Sequence, residues 1–301
     1  MTYEKKISVI MGVYNQWNLK QFNLAVDSVL KQTFRDFEFI IYNDGSDPEV
    51  SDYINSLSER DERIVVIGQE KNHGLAFSLN ECIDIAKGKY IARMDADDIS
   101  LPDRFQRQYD FLERNTQYDW CGCNAQLIDD GGVWGERIMP QYPDKHDYLM
   151  FSPYIHPSVM YRAELFKHTG GYSEARETLR CEDYEMFMRL YQLGYKGCNI
   201  QSVLFQYRED ADSFKRRKFK YRVNEMKIRY RNFSSMHIMF PIGWVYCIRP
   251  VAASLIPTKL LSFIKRKRYE NIERPEAEII QANTGGTADV LRGTQSVRRV
   301  I

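Results

Sequence analysis

Three carboxylates fall within four positions at Asp95-Ala96-Asp97-Asp98. Two carboxylates one residue apart at the end of a strand can hold a hard divalent cation through oxygen, and a cation held there can neutralise a diphosphate. Asp98 reads either as a third ligand or as the N-cap of a following helix. Asn43-Asp44-Gly45-Ser46 has the residues that turns use; alternatively, Asp44 accepts a hydrogen bond from the edge of a nucleotide base. Lys71-Asn72-His73-Gly74 stands just before another helix pattern, where backbone N–H groups and a lysine can face phosphate or ribose. Arg180-Cys181-Glu182-Asp183 opens a further helix. An acid in a first helical turn complements the dipole, and it is also the base that a displacement by an acceptor hydroxyl requires.

These residues need a scaffold, and the first hundred positions supply one by alternating strand and helix patterns, which argues for βαβ units and a parallel sheet. Ile7 to Tyr14, Phe37 to Tyr42, Ile64 to Ile67 and Tyr90 to Met94 read as strands. Between them, Leu24, Val26, Val29 and Leu30 mark one helix face, Ser51 to Ser58 a second helix, and Leu75 to Ala86 a third that Gly88 is placed to cap. The fourth strand runs straight into Asp95, so the acidic cluster sits at a strand's carboxyl end, where open α/β sheets bind ligands. A helix from Pro102 to about Arg114, a buried strand from Trp120 to Ile128 and a helix from Glu182 to Leu193 follow. Residues 133 to 181, with four prolines and Gly170-Gly171, are less regular, as expected of loops that build a second substrate site.

With 44% hydrophobic and 28% charged residues and six cysteines, the composition excludes a disordered chain, a collagen, a disulfide scaffold and a polytopic membrane protein. No secretory signal precedes the first strand, so a cytosolic setting with reduced thiols is expected. Cys121-Gly122-Cys123 lacks the partners of a zinc site. The net charge of +1 conceals a division, since residues 1–214 carry −12 and residues 215–301 carry +13. Lys215 to Arg268 holds 15 basic residues against Glu225 alone. Its apolar part, Met236 to Ile264, is broken by three prolines, Arg249 and Lys259, and its longest uninterrupted apolar stretch, Phe240 to Ile248, is too short to span a bilayer. It reads as helices lying in the headgroup plane, with Trp244 and Tyr246 at the interface and basic side chains on anionic lipid. Three parts are expected: a catalytic unit over 1–214, a basic and apolar helical segment over 215–272, and a flexible tail over 273–301.

The strings ISVIMGVYN, NDGS, NHG, YIARMDADD and CEDYEMFMRL, in that order and spacing over about residues 5 to 210, closely resemble the family 2 inverting glycosyltransferases of the GT-A fold. Bacterial enzymes of capsular and exopolysaccharide assembly are the nearest in pattern. The resemblance implies an α/β fold with a mostly parallel central sheet flanked by helices and a C-terminal helical segment. It further implies a nucleotide-diphosphate sugar donor, UDP-linked, a hexosyl or N-acetylhexosaminyl group for transfer, and a saccharide or lipid-linked saccharide acceptor. No role for nucleic acid is implied, and the protein is expected at the inner face of the cell membrane.

Residue by residue, Asp44 would bind the base, with Val13 and Tyr14 packing beside it and Lys71 near the nucleotide. Asp95 would face the ribose or a metal-bound water, Asp97 would ligate Mg²⁺ or Mn²⁺, and Asp183 would be the general base, with Glu182 its neighbour. His156, in His156-Pro157-Ser158, either touches substrate or metal or is a structural histidine at a strand start. Arg180 and Arg93 are possible phosphate partners, unless Arg93 alternates outward on its strand. Asn43 and Asp47-Pro48 depart from the usual nucleotide motif, and the Gln-x-x-Arg-Trp motif of processive synthases is absent, which favours addition of one sugar. The alternative is a glycosyltransferase-like protein that acts by interaction through its basic C-terminal segment.

Overall fold

The structure, a computed structural model, describes residues 3–209, 219–254 and 267. The first half is built from β1 (Lys5–Val13), α1 (Leu19–Leu30), β2 (Phe37–Asp44), α2 (Pro48–Ser56), β3 (Ile64–Gln69), α3 (Leu75–Ile85) and β4 (Gly88–Arg93). β2 is buried at all eight positions, as a central parallel strand covered on both faces must be. α1 turns Phe22, Ala25, Val26 and Val29 inward, while Leu24, expected on that face, is 44% exposed. Gly88 is likewise not a helix cap. It opens β4, where an added Cβ would lie 2.4 Å from the Ser8 backbone nitrogen, so only glycine lets β4 close on β1.

The second half comprises β5 (Ile99–Ser100), α4 (Arg104–Arg114), β6 (Trp120–Asp129), β7 (Gly132–Arg137), β8 (Met160–Arg162), α5 (Glu164–Thr169), α6 (Glu182–Gln192) and β9 (Gly197–Arg208). One sheet runs β3-β2-β1-β4-β8-β6-β9-β5, with β7 paired to β6. The expectation of a mostly parallel sheet holds for β3, β2, β1 and β4. Beyond β4 only β6 and β9 run parallel, and the pairs β4–β8, β6–β8, β6–β7 and β5–β9 are antiparallel. Of the antiparallel pairs only β6–β7 is a short hairpin, turning at Asp130 and Gly131; the others join strands far apart in the chain, so their direction is set by tertiary packing rather than by a local turn.

α4 carries polar side chains on its inner face. Arg104, fully buried between Phe105 and Phe205, donates from Nη2 to the Arg93 carbonyl at 2.9 Å, and Gln108 donates to the carbonyls of Cys121 and Ser158. Burial lowers the Arg104 guanidinium to about 10, which leaves it charged at neutral pH beneath the end of β4. All six cysteines are buried free thiols, and Cys121 and Cys123 lie in β6, as their alternation with small residues suggests.

α7 (Phe219–Ser235) and α8 (Trp244–Ala253), joined by the turn Met239–Gly243, form a hairpin packed on this body. Ile228, Phe233, Met236, Ile238 and Cys247 join the core that contains Trp120 and Phe187. Arg229 is buried and donates to the carbonyls of Leu149 and Met150, so this basic residue fixes the hairpin to the body. Tyr246 also packs inward, against the expectation that placed it at an interface, while Trp244 is 51% exposed. The expected division at 214/215, the tail 273–301 and the basic runs 215–218 and 265–268, apart from Lys267, lie outside the described residues.

Candidate active site

The carboxyl ends of β1, β2 and β4 open on the same side of the parallel half-sheet, and the sequence motifs follow each of them. Val13 ends β1 buried; after it Tyr14 is 54% exposed, and Asn15 adopts a left-handed backbone with φ 48°. The Asn15 N–H donates to Ser46 Oγ at 3.1 Å, and its side-chain oxygen accepts from the Asp47 N–H at 2.7 Å. The loops after β1 and β2 are thereby joined. Asn43 takes part by accepting from the Ser46 N–H and donating to Ser51.

Asp44 is buried, and its carboxylate accepts from Asn72 Nδ2 at 2.7 Å, from the His73 N–H at 2.8 Å and from the Gly74 N–H at 2.9 Å. One carboxylate therefore orders the whole 72–74 loop ahead of α3, since bonds to an ionised acceptor are the strong ones. Gly45, with φ +69°, lies so close to this loop that a Cβ would stand 2.5 Å from the Lys71 backbone carbon. Lys71 itself is exposed at the rim.

The loop after β4 gathers Asp95, Asp97 and Asp98, each with a carboxylate oxygen within 4.8 Å of the others. Asp98 is not the N-cap of α4, a position that Asp103 occupies. It is buried, accepts from the Arg208 N–H at 2.7 Å through one oxygen, and has no hydrogen-bond partner for the other among the described residues. Burial first, and then the charges of Asp97 and Asp95, push its carboxyl well above the usual range. A buried orphan oxygen in a crowd of like charges fits a hard cation held by these three residues.

Arg93 does not alternate outward. It is 1% exposed, its guanidinium contacts Asp95, and Nε has no hydrogen-bond partner among the described residues. Arg208, at the end of β9, donates to the Asp97 carbonyl at 3.0 Å, and Gln16 donates to that of Ala96 at 3.3 Å. The acidic loop is thus gripped from β1, β4 and β9. No chemical role for Arg208 is legible in the sequence; it reaches this loop only because β9 pairs with β5.

Glu182 and Asp183 lie in the first turn of α6, behind Arg180, which is exposed and has φ +69°. Burial raises Glu182 above its ordinary value. Asp183 is half-buried. Tyr172 links this helix to the acidic loop. Its phenol is raised by burial, lowered by Arg93, and raised further by Asp183 and Asp95, so both acids act on one side chain. The Tyr172 backbone is held by the side-chain amide of Asn80 on α3, whose Oδ1 accepts from the Tyr172 N–H at 2.8 Å and whose Nδ2 donates to the Tyr172 carbonyl at 3.0 Å, while Arg189 of α6 donates to the Gly171 carbonyl. Gly171, with φ +72°, leaves room for Asn80, whose Oδ1 would be 2.4 Å from a Cβ.

His156 is buried behind Tyr172, with Nε2 2.7 Å from the Tyr172 hydroxyl. Burial and then the Arg93 charge push its imidazole well below the usual range, so it is neutral and stands as a structural support of Tyr172 rather than at the open face of the site. It opens a short 3₁₀ turn, His156–Ser158, ahead of β8. The Gly170-Gly171 pair was the one sequence signal near Tyr172, and it marked the turn without identifying the tyrosine.

A half-sheet with an acidic loop at its carboxyl edge and a facing acid-bearing helix is the arrangement of the GT-A nucleotide-sugar transferases. Residues 8–170 match glycosyl transferase family 2, and the chain belongs to that family. The glycosyltransferase EpsE of Bacillus subtilis is 33% identical over 88% of this chain and 95% of its own. The amylovoran biosynthesis glycosyltransferase AmsE of Erwinia amylovora is 27% identical over 86% and 98%. An Escherichia coli UDP-Gal:α-D-GlcNAc-diphosphoundecaprenol β-1,3-galactosyltransferase is 28% identical over 87% and 96%. Among solved structures, TarS residues 1–349 of S. aureus in complex with UDP has a TM-score of 0.60 at 17% identity, covering 87% of this chain and 78% of that one. The mannosyltransferase PcManGT of Pyrobaculum calidifontis, in complex with GDP-Man and Mn²⁺, has 0.59 at 13%, covering 89% and 81%. At these identities the structural likeness establishes the fold.

Proposed function

We infer that the protein transfers a single sugar, with inversion, from a nucleoside-diphosphate sugar to a hydroxyl of a lipid-linked saccharide, in assembly of a bacterial surface polysaccharide. The observation that carries this reading is the joint placement of the acidic loop and the start of α6 around Tyr172, together with the family. Asp44 and the ordered 72–74 loop form the nucleotide end, with Tyr14 and Lys71 at its rim. Asp97 and Asp95 would hold Mg²⁺ or Mn²⁺, with Asp98 behind them, and such a cation supplies positive charge against a leaving diphosphate. Arg93 fixes Asp95, and Arg208 fixes the backbone of Asp97, so these oxygens are positioned before the donor arrives. Asp183 accepts the proton of the acceptor hydroxyl as its oxygen bonds to the anomeric carbon and the bond to the diphosphate oxygen breaks on the opposite face. The products are the glycosylated acceptor and the nucleoside diphosphate.

A panel of nucleotide-sugars tested for thermal stabilisation with and without Mn²⁺ checks the donor half, because a ligand of the folded state raises the melting temperature. One nucleotide-sugar should raise it by several degrees only with the metal; no response from any member would remove the reading.

The lipid-linked acceptor is supported by the diphosphoundecaprenol-linked acceptor for which the Escherichia coli relative is named and by the α7–α8 hairpin, where Tyr230, Phe240, Ile242, Trp244, Val245 and Ile248 are exposed. No helix among the described residues is long and apolar enough to cross a membrane. Aromatic and aliphatic side chains on a basic segment suit the headgroup plane instead. Phe240→Ser with Trp244→Ser should cut cosedimentation with vesicles containing phosphatidylglycerol about tenfold or more, as expected when two aromatic anchors leave the interface. Unchanged sedimentation would reject docking through this hairpin.

A further inference from the structure

The hairpin exposes more than a surface. Between α7 and α8 lies a groove of about 960 Å³ walled by Met226, Tyr230, Phe240, Trp244 and Ile248 and floored by the buried Cys247. It is at the upper end of the size usual for sites that enclose a small molecule. Its lining is mostly apolar and aromatic, with Met226 and Met239 able to pack irregular shapes, and Lys227, Ser234 and His237 are its polar members. Hydrocarbon is the chemistry that fits.

Two observations bear on which hydrocarbon. The groove meets the catalytic body next to the loop that precedes Asp183. Asn224 of α7 donates to the Arg176 carbonyl at 3.1 Å, Arg231 pairs with Glu177 at 3.6 Å, and Met226 and Lys227, between those two contacts, line the groove. Asn224 and Lys227 are separated by about 4.5 Å along a helix axis, so a chain seated in the groove ends beside the acceptor side of the site. The second observation is charge. The described hairpin carries Lys220, Arg222, Lys227, Arg229, Arg231 and Arg249 against Glu225; Arg229 and Arg249 bind carbonyls of the body, Arg231 pairs with Glu177, and Glu225 is bound by Arg229 at 2.9 Å. Lys227 stands exposed at the lip. An apolar trough with a cationic lip complements a long chain that carries a diphosphate. A flat bilayer would cover the rims of Phe240 and Trp244 without filling the floor at Cys247.

We propose that the α7–α8 groove binds the first isoprenoid units of a polyprenyl-diphosphate acceptor, with Lys227 at the diphosphate, and so delivers the saccharide to Asp183. The assignment rests on the lipid-linked acceptor reading but is tested by binding alone, so it stands or falls apart from transfer activity. The probe is farnesyl diphosphate, measured against inorganic diphosphate by quenching of tryptophan fluorescence. The full chain is used with EDTA present, so that a metal in the acidic loop does not capture the headgroup. Ser234, exposed on the α7 wall, is changed to Trp to fill the groove while leaving the apolar rim intact.

The wild type should bind farnesyl diphosphate at least tenfold more tightly than inorganic diphosphate. Ser234→Trp should weaken farnesyl diphosphate about tenfold, equivalent to about 1.4 kcal/mol, with vesicle cosedimentation unchanged. Met226→Trp, from the same wall, should repeat the result if the first variant folds poorly. Equal affinity for the two diphosphates, or farnesyl binding untouched by both variants, overturns the assignment. A concentration-dependent dimer that Ser234→Trp dissociates, without farnesyl binding by the wild type, overturns it in favour of a second copy of the chain.

Discussion

Asp183→Asn is expected to lower the turnover of sugar transfer by about 10²–10⁴-fold, the usual contribution of a positioned general base. Asparagine keeps the shape of the side chain but has no oxygen basic enough to take a hydroxyl proton. The first turn of α6 also loses a favourable charge at its N-terminus, which costs about 0.3–1 kcal/mol of stability, so a small fall in melting temperature accompanies the kinetic loss without explaining it. Donor binding is the control. Asp183 is not one of the acidic-loop residues that would hold the metal, and metal-dependent stabilisation by the donor should survive the substitution. Turnover close to wild type under saturating acceptor would remove Asp183 from the mechanism, and loss of donor binding would show that the variant disturbs the site as a whole.

Asp97→Ala should reduce turnover by about 10² or more, the scale of removing one preorganised electrostatic contributor from a developing charge, and should abolish the metal-dependent rise in melting temperature. Its effect on the metal-free protein runs the other way. Asp98 is pushed above its ordinary range in the folded chain, by burial first and then by Asp97 and Asp95. A carboxyl raised on folding contributes stability at low pH, and that stability is lost as pH rises through the raised value. Near neutrality the crowded trio therefore opposes folding, and removing Asp97 relieves part of that opposition. The metal-free variant should melt at or above the wild-type temperature near pH 7, and the gap should close as the pH is lowered toward 4. A variant that melts well below the wild type without metal would mean that Asp97 is held mainly for structure.

Asp44 illustrates a residue whose sequence signal was clear and whose work is larger than the signal implied. As part of Asn43-Asp44-Gly45-Ser46 it reads as a turn or a base contact; in the fold its carboxylate organises the loop that begins 28 residues further along the chain, at Asn72. Arg104 and Arg208 are the opposite case. Their local sequence assigns neither a chemical role, yet one supports the end of β4 from beneath and the other holds the Asp97 carbonyl. Gly88 reads equally well as a helix cap or a strand opening until β1 is set against β4, and only then does the 2.4 Å approach to Ser8 decide between them.

The order of strands and helices in the first half, the acidic cluster after β4 and the acid pair opening α6 were set by local pattern, because burial periodicity and a run of like charges act over a few neighbouring residues. The antiparallel second half, the burial of Arg93 and His156, the reach of the Asp95 and Asp183 charges to Tyr172, and the groove between α7 and α8 were decided by tertiary packing. Each depends on segments tens of residues apart meeting at fixed register, and a single chain read in order does not carry that distance information.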